Sequence, residues 1–486
     1  MDLRLMLMGN VLSLNGSKTI RSEPCENLEG EACKRQRLSI SSVEEMSRLI
    51  PSLPDELSLQ ILARVPRICY LNLKLVSRPW KAAIVSSELF WLRKELGTTE
   101  EWLYIQTKDS NNNKLLWYAL DPLSRTWQRL PLMPCFLFEE AKKGLAALRM
   151  WGVVDSSIRI ADVIRKWFGR KDGFGQMSFC GCSVGAVDGC IYALGGFSKD
   201  SAMKSVWRYD PVKNSWSEVS QMSVGRAYCK TGTLNNKLYV VGGVTRGHRG
   251  LTPLQSAEVY DPNTGVWSEL PSMPFAKAQV LPTAFLAEFL KPIATGMTIY
   301  RGRLFVPQSL YCWPFFVDVG GEIYDQNMNS WLEMPTGMGQ GWPAKQAGTK
   351  LSVNVNGDLY ALDPSNSPKS AKLKVYDYEG DDWKVVAGDV PINDFTDSEA
   401  ESPYLLAGLH GKLHLITKDD HENITVMQAD LQGDLASSQS FLSSPDNSSS
   451  EQPETSELES ERDFWRVLAT RSGSSSELVS CQSLTV

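Results

Sequence analysis

Polar and apolar positions alternate in short runs along most of the chain, the period of a strand with one buried face. The clearest runs come in pairs. YDPVKNSW at 209–216 returns as YDPNTGVW at 260–267 and, more loosely, as YDQNMNSW at 324–331. In each, tyrosine and branched residues suit a pleated surface, Asp and Pro open a turn, and Asn or Gly can fill a left-handed position, so the unit predicts a hairpin. Tryptophan follows aspartate at one fixed interval in Asp121/Trp127, Asp210/Trp216, Asp261/Trp267, Asp325/Trp331 and Asp377/Trp383, which implies a single geometry used repeatedly. Another strand pair lies upstream of the hairpins, divided by tight turns at Asp188-Gly189, Asn235-Asn236, Arg301-Gly302, Asn356-Gly357 and His410-Gly411. Four strands recurring about every 50 residues predict the blades of a β-propeller.

Two intervals are too long for one period. Residues 136–175 are predicted to carry an amphipathic helix, SIRIADVIRKWFGRK, with Ile160, Val163, Ile164, Trp167 and Phe168 on one side; it either packs on the propeller or serves a partner or membrane surface. Residues 433–461 are acidic and Ser-rich and predict disorder. Taking that segment out joins MQADL (427–431) to DFWRVL (463–468) as one more hairpin, and six blades result. The first blade lacks an opening strand, because WLYIQT (102–107) fills its second-strand slot. The C-terminal LVSCQSLTV is therefore expected to supply the missing strand and close the ring, which would otherwise keep an open edge.

Ahead of the propeller the pattern turns helical. Within residues 52–96, Pro66 ends one helix, while Ser77 and Pro79 fit the cap and first turn of another that puts Trp80, Ala83 and Ile84 on one side. Three short helices are expected, a module so small that its own core is marginal and usually needs a partner. The domain plan is a disordered segment over 1–47, the helical module over 48–97 and the propeller over 98–486.

LPDEL at 53–57, ILARVP at 61–66 and LVSRPWK at 75–81, followed by Phe90 and Trp91, resemble the F-box. Gly195-Gly196 and Gly242-Gly243 resemble the double glycine of the kelch repeat, whereas Pro307-Gln308, Leu362-Asp363 and Ile416-Thr417 stand at that place in later blades. The whole is similar to the F-box/kelch-repeat proteins of plants. That resemblance implies a mainly β fold, a six-bladed kelch-type β-propeller preceded by a small all-α F-box domain. It also implies a non-catalytic substrate receptor, in which the F-box binds the Skp-type adaptor of a cullin-RING ubiquitin ligase and the propeller captures a target protein for ubiquitination. By the same resemblance Leu53, Pro54, Leu57, Ile61 and Leu62 would line the adaptor contact, and Val76, Trp80 and Trp91 would hold the module together. Such a protein is expected in the cytoplasm, the nucleus or both.

Propeller topology sorts the loops. First-to-second and third-to-fourth turns share one face, and the tight turns all belong to it. The other face receives the long connections, among them 245–256, 308–321 and 335–347. The helical module leads into a second strand from the tight-turn face, so module and long loops are expected at opposite ends. Loops of that kind carry recognition, and aromatic and arginine side chains supply most interface energy. Arg246, His248, Arg249, Trp313, Phe315, Phe316 and Trp342 are accordingly the candidate target anchors, each with the alternative of packing its own loop against the ring.

Charge narrows the remaining classes. With 50 basic and 56 acidic side chains spread along the chain, no nucleic-acid footprint is expected. No apolar run reaches the roughly 18 residues of a membrane span, and Asp2 and Arg4 interrupt the signal-like opening MDLRLMLMGNVLSL. Ten cysteines without CxxC spacing read as reduced thiols of an intracellular protein. Neither metal nor cofactor is expected: only four histidines exist, His410 and His414 flank a turn, and HExxH is missing. The competing class is a propeller enzyme or ligand sensor, of oxidase or glycosidase type, regulated by its helical module.

Overall fold

The tight turns show how local chemistry sets the strand register. In a computed structural model of the protein, both central residues lie at positive φ in all five: Asp188 and Gly189 at 50° and 65°, Asn235 and Asn236 at 48° and 56°, Arg301 and Gly302 at 47° and 71°, Asn356 and Gly357 at 54° and 96°, His410 and Gly411 at 51° and 66°. That conformation matches the twist of two paired strands. The third-to-fourth turns are closed differently. Asp121, Asp210, Asp261, Asp325 and Asp377 each accept a backbone N–H two residues on, from Leu123, Val212, Asn263, Asn327 and Glu379. The structure describes residues 48–109, 114–134, 181–198, 201–247, 250–275, 292–312, 315–342, 352–363, 371–390, 404–419, 421–431, 464–472 and 476–486. The expectations for 1–47, 136–175 and 433–461 lie outside these residues.

Six antiparallel sheets form the propeller, each ordered from its innermost strand outward. The first contains β1 (Glu101–Asp109), β2 (Leu115–Asp121) and β3 (Thr126–Arg129), and its innermost strand is the last of the chain, β27 (Ser476–Thr485). The second holds β4 (Ser183–Val187), β5 (Cys190–Leu194), β6 (Val206–Asp210) and β7 (Ser215–Val219). In the third are β8 (Lys230–Leu234), β9 (Lys237–Val241), β12 (Ala257–Asp261) and β13 (Val266–Leu270), with a separate hairpin of β10 (Val244–Gly247) and β11 (Gly250–Pro253). The fourth has its inner strand split into β14 (Ile293–Ala294) and β15 (Thr298–Tyr300), beside β16 (Arg303–Cys312), β17 (Phe315–Asp325) and β18 (Ser330–Glu333). The fifth runs through β19 (Ser352–Val355), β20 (Asp358–Asp363), β21 (Lys372–Asp377) and β22 (Asp382–Asp389); the sixth through β23 (Leu405–Leu409), β24 (Lys412–Lys418), β25 (Ile424–Ala429) and β26 (Trp465–Arg471). Strand β27 pairs along the whole of β1, from Glu101↔Thr485 to Asp109↔Ser476. The innermost strands touch in the sequence β27, β4, β8, β15, β19, β23 and back to β27, so the ring has no free inner edge.

The repeated tryptophan fastens each blade to the one before it. Trp216, Trp267, Trp331 and Trp383 sit across the hairpin from Tyr209, Tyr260, Tyr324 and Tyr376, with ring centroids 5.0–5.3 Å apart. Their indole N–H groups donate out of the blade to the carbonyls of Pro131, Ser220, Pro271 and Met338. The eight-letter motif is thus an inter-blade fastener.

Two expectations about long loops are corrected. Residues 308–321 are not a loop: β16 and β17 continue past the blade as a paired ladder, from Ser309↔Asp318 to Cys312↔Phe315. β-Branched and aromatic residues there favour pairing, which also satisfies backbone groups a bare loop would leave to water. Within 335–347 a helix forms over Thr336–Gly341, because Asp381 accepts hydrogen bonds from the amides of Gly337 and Met338 at its first turn.

The chain divides into two compact units, Met1–Asp55 and Glu56–Val486. In the helical region there are four α-helices, not three: α1 (Asp55–Arg64), α2 (Tyr70–Leu73), α3 (Arg78–Ile84) and α4 (Ser87–Glu95); the helix of residues 336–341 is α5. The extra break comes from Ser86, whose extended backbone interrupts the run and whose hydroxyl caps α4 by accepting from Leu89 N–H. Ser77 caps α3 in the same way, accepting from Trp80 N–H.

Candidate functional site

The helices of Glu56–Glu95 are divided between a buried and an exposed set of apolar side chains. Inside lie Leu59, Leu62, Ala63, Ile84 and Leu89, together with Arg93 at 4% exposure. Outside lie Leu57, Ile61, Leu71, Leu75, Val76 and Trp91, which are 41–83% exposed. These six are half of the twelve large apolar side chains exposed among the described residues, gathered in a small fraction of the chain. Such a concentration marks an interaction surface.

Arg93 ties the helices to the segment that leads into β1. Its guanidinium donates to the carbonyls of Ala63, Val65 and Thr98, to the Tyr70 hydroxyl and to Glu100 Oε1 at 2.9 Å. Glu100 in turn accepts from Arg67 N–H and from the Trp102 indole, and its backbone pairs with that of Val486. Arg67 reaches across to the Pro211 carbonyl at 2.6 Å and Lys74 to the Val212 carbonyl at 3.0 Å. Burial, with help from the Arg67 charge, holds Lys74 below the ordinary lysine range. Pro211 and Val212 form the third-to-fourth turn of the second blade, so the module is bolted to the tight-turn face. The face carrying the 245–256 and 308–321 hairpins is the opposite one.

The sequence-predicted residues separate in this structure. Leu57 and Ile61 are exposed at 47% and 41%; Leu53 is partly buried and Pro54 exposed, both in the first unit. Leu62 is corrected: at 0% exposure it belongs to the interior and offers nothing to a partner. The assignment of Val76 and Trp91 to the module's interior is likewise overturned, since both are more than half exposed, whereas Trp80 is partly buried. Periodicity could not separate these cases, because the inner face is completed by Arg93 and by the ring rather than by a second helix layer. Among the target-anchor candidates, Arg246 is exposed, with its guanidinium 5.7 Å from the Phe197 ring centroid. Trp342 is corrected as well: it is 5% exposed and stacks edge-on with Trp383 at 5.5 Å, drawn inward by α5. Phe315 and Phe316 are placed at the start of β17, by backbone only; His248, Arg249 and Trp313 lie outside the described residues. Phe197 and Tyr228, which line the same end of the ring as Arg246, were missed; Tyr228 carries no periodic signal that would have found it.

Among the described residues no group of three or more His, Cys, Asp or Glu side chains could hold a metal ion. His414 is buried in β24, its Nδ1 3.1 Å from the Lys412 carbonyl oxygen, and burial pushes its imidazole down to about 4. No helix is long and apolar enough to cross a membrane among the described residues.

Four-stranded blades fastened through Tyr–Trp hairpins, preceded by a helical module of this size, define a β-propeller protein with an N-terminal helical domain. The F-box domain family matches residues 50–92, and the kelch motif matches residues 178–223 and 225–274, the second and third blades. An F-box/kelch-repeat protein of Arabidopsis thaliana is 58% identical over 98% of this chain and 99% of its own length. A second from the same plant is 26% identical over 84% of this chain and 89% of its own, and the F-box/kelch-repeat protein SKIP30 is 32% identical over 47% and 56%. The chain belongs to the F-box/kelch-repeat family.

Proposed function

We propose that the protein is the substrate receptor of an SCF-type ubiquitin ligase, binding a Skp-type adaptor through the exposed apolar face of its helices and a target protein through the opposite face of the propeller. It does no bond chemistry of its own. The observation that supports this most is the set of six exposed apolar side chains on a helical module tied to the tight-turn face by Arg67, Lys74 and Arg93. A rigid junction fits a receptor, because the distance between held target and ligase is then fixed by the protein itself. Truncating central apolar residues of an interface typically weakens binding by about 2 kcal/mol or more. The full chain carrying Leu57→Ser and Ile61→Ser should therefore lose co-purification with a Skp-type adaptor while its thermal midpoint stays within about a degree or two of the parent, as expected for exposed sites. Unchanged retention of the adaptor would sink the reading.

A further inference from the structure

The innermost strands surround a channel along the propeller axis with a cavity of about 330 Å³. Each of these strands runs from the long-loop face toward the tight turns, so the first residues of β4, β8, β15 and β19 line the cavity near the long-loop face. The walls are hydroxyl, amide and small apolar groups. Only one described lining residue carries a charge, Lys230, and no carboxylate lines the cavity with it. Lys230 makes no ion pair or hydrogen bond through its ammonium with any described residue. Its side chain is partly open to the channel yet deep within its walls, and burial pushes its pKa down to about 8. A cation so placed has no internal reason to be there: an unpaired charge away from bulk water is unfavourable, and methionine would fill the space without that penalty.

The wall around it is built and stiff. Ser183 donates to the Cys229 carbonyl, Thr231 and Thr233 to the carbonyls of Val184 and Ala186, and the Gln482 amide also to Val184. Because those hydroxyl protons are spent on the backbone, the oxygens face the channel as acceptors. Two residues before Lys230, Tyr228 holds φ at +56°, a left-handed conformation that is strained for a bulky side chain. Its amide donates to the Gly181 carbonyl at 2.7 Å, its ring lies where a Cβ on Gly181 would be 2.6 Å away, and its edge meets Phe197, which also carries Arg246.

We propose that the mouth of the central channel binds a small hydroxylated anion, with its carboxylate or phosphate against the Lys230 ammonium and its hydroxyls donating to the Ser183, Thr231 and Thr233 oxygens. This site is independent of the adaptor surface, and its test involves no ligase component. The full chain is heated in the presence of glucose 6-phosphate, orthophosphate or glucose, against sodium chloride at equal ionic strength. Glucose 6-phosphate should raise the midpoint saturably and most strongly, orthophosphate less, and glucose least. Lys230→Met should weaken the apparent affinity for both phosphates roughly tenfold or more, as loss of a charge-assisted hydrogen bond requires, and Lys230→Arg should retain most of it. Binding should also weaken as pH rises through about 8, where Lys230 loses its proton. The other titratable groups on the wall are the Cys182 and Cys229 thiols, both pushed up by burial, and the Tyr228 phenol. No saturable shift with either phosphate, or an equal shift in Lys230→Met, overturns the proposal; so does a shift elicited only by an acidic peptide, which would assign the channel to the target protein instead.

Discussion

Blades three and five meet the same packing problem with different residues. At the end of the second strand, blades two and three carry Gly195-Gly196 and Gly242-Gly243, all at positive φ. A Cβ on Gly195 would stand 2.0 Å from the Arg226 carbonyl oxygen, and one on Gly243 2.6 Å from that of Ala227, so the segment entering blade three lies directly on the backbone of both glycine pairs. That segment brings in Arg226, 0% exposed, which donates to the carbonyls of Gly242 and Ser256 and pairs with Glu258. Blade five has Leu362-Asp363 in place of the glycines, and Asp363 pairs with Lys374 at 2.5 Å. Blade four has Pro307-Gln308, and Gln308 donates to Glu322 at 3.1 Å. Glu258, Glu322 and Lys374 occupy the same third-strand position, two residues before the tyrosine of AEVYD, GEIYD and LKVYD. The glycines are needed where incoming chain packs on the strand; where a side-chain pair fills that space, they are not.

The sharpest way to break this comparison is to remove the arginine. In Arg226→Met, Glu258 remains 1% exposed and keeps only the amides of Ser223 and Val224 as donors. Breaking one side of a buried pair is expected to lose about 3–5 kcal/mol. Lys374→Met, by contrast, removes a pair that is 21% and 18% exposed and should lose about 1 kcal/mol or less. Denaturant midpoints of the two variants measure the difference, and equal losses would show that the blades are fastened alike. Next in size is Gly195→Ala. Gly302 has a similar positive φ of 71° but open space around it, so Gly302→Ala reports backbone strain alone. The clash at Gly195 should add about 1–3 kcal/mol beyond that, as overpacking does. Thermal midpoints that fall equally in both would mean the Arg226 segment moves aside freely.

The contrast also explains what the sequence could and could not reveal. Turn chemistry was legible because it is local: Asp188-Gly189 and Asn356-Gly357 announce positive φ by residue type, and the Asp-to-Trp interval exposes the hairpin whatever lies between. The count of six blades followed from joining 427–431 to 463–468 as one more hairpin, and the closing role of β27 from one vacant slot beside β1. Arg226 was invisible, since nothing local says that a charged side chain will lie under the next blade's glycines. The same limit misplaced Trp342: an aromatic in a long connection looks like an anchor until Asp381, from a different blade, nucleates α5 and turns the ring inward. On the helical module the motif did not tell exposed side chains from interior ones. Leu62 and Ile61 are neighbours in one heptad-like run, yet one is interior and the other exposed because the ring and Arg93 complete the inner face.

The smallest effect concerns the fasteners themselves. Trp216 donates its indole N–H to Pro131 at 2.9 Å and so ties blade two to blade one. Trp127 holds the equivalent place in blade one and packs at the seam with blade six, beside Leu468 and the buried Ala469, but its indole nitrogen is buried without a partner among the described residues. That seam is held instead by the chain itself, which passes from β26 of blade six to β27, laddered on β1 in blade one, by Cys481 Sγ donating to the Leu406 carbonyl, and by His410 N–H donating to Glu101. No indole hydrogen bond is needed there, because the strand that closes the ring does the fastening. Phenylalanine keeps most of the apolar packing and deletes the donor. Trp216→Phe should therefore lose about 1 kcal/mol more than Trp127→Phe, for which removal of an unsatisfied donor offsets part of the lost packing. Double variants in which Ser480 to Val486 are also deleted should reverse the order, since Trp127 packing then becomes the main tie across the seam. Equal sensitivity of both tryptophans in the full-length protein, read by denaturant midpoint, would mean that closure by the last strand and closure by the indole are the same kind of bond energetically.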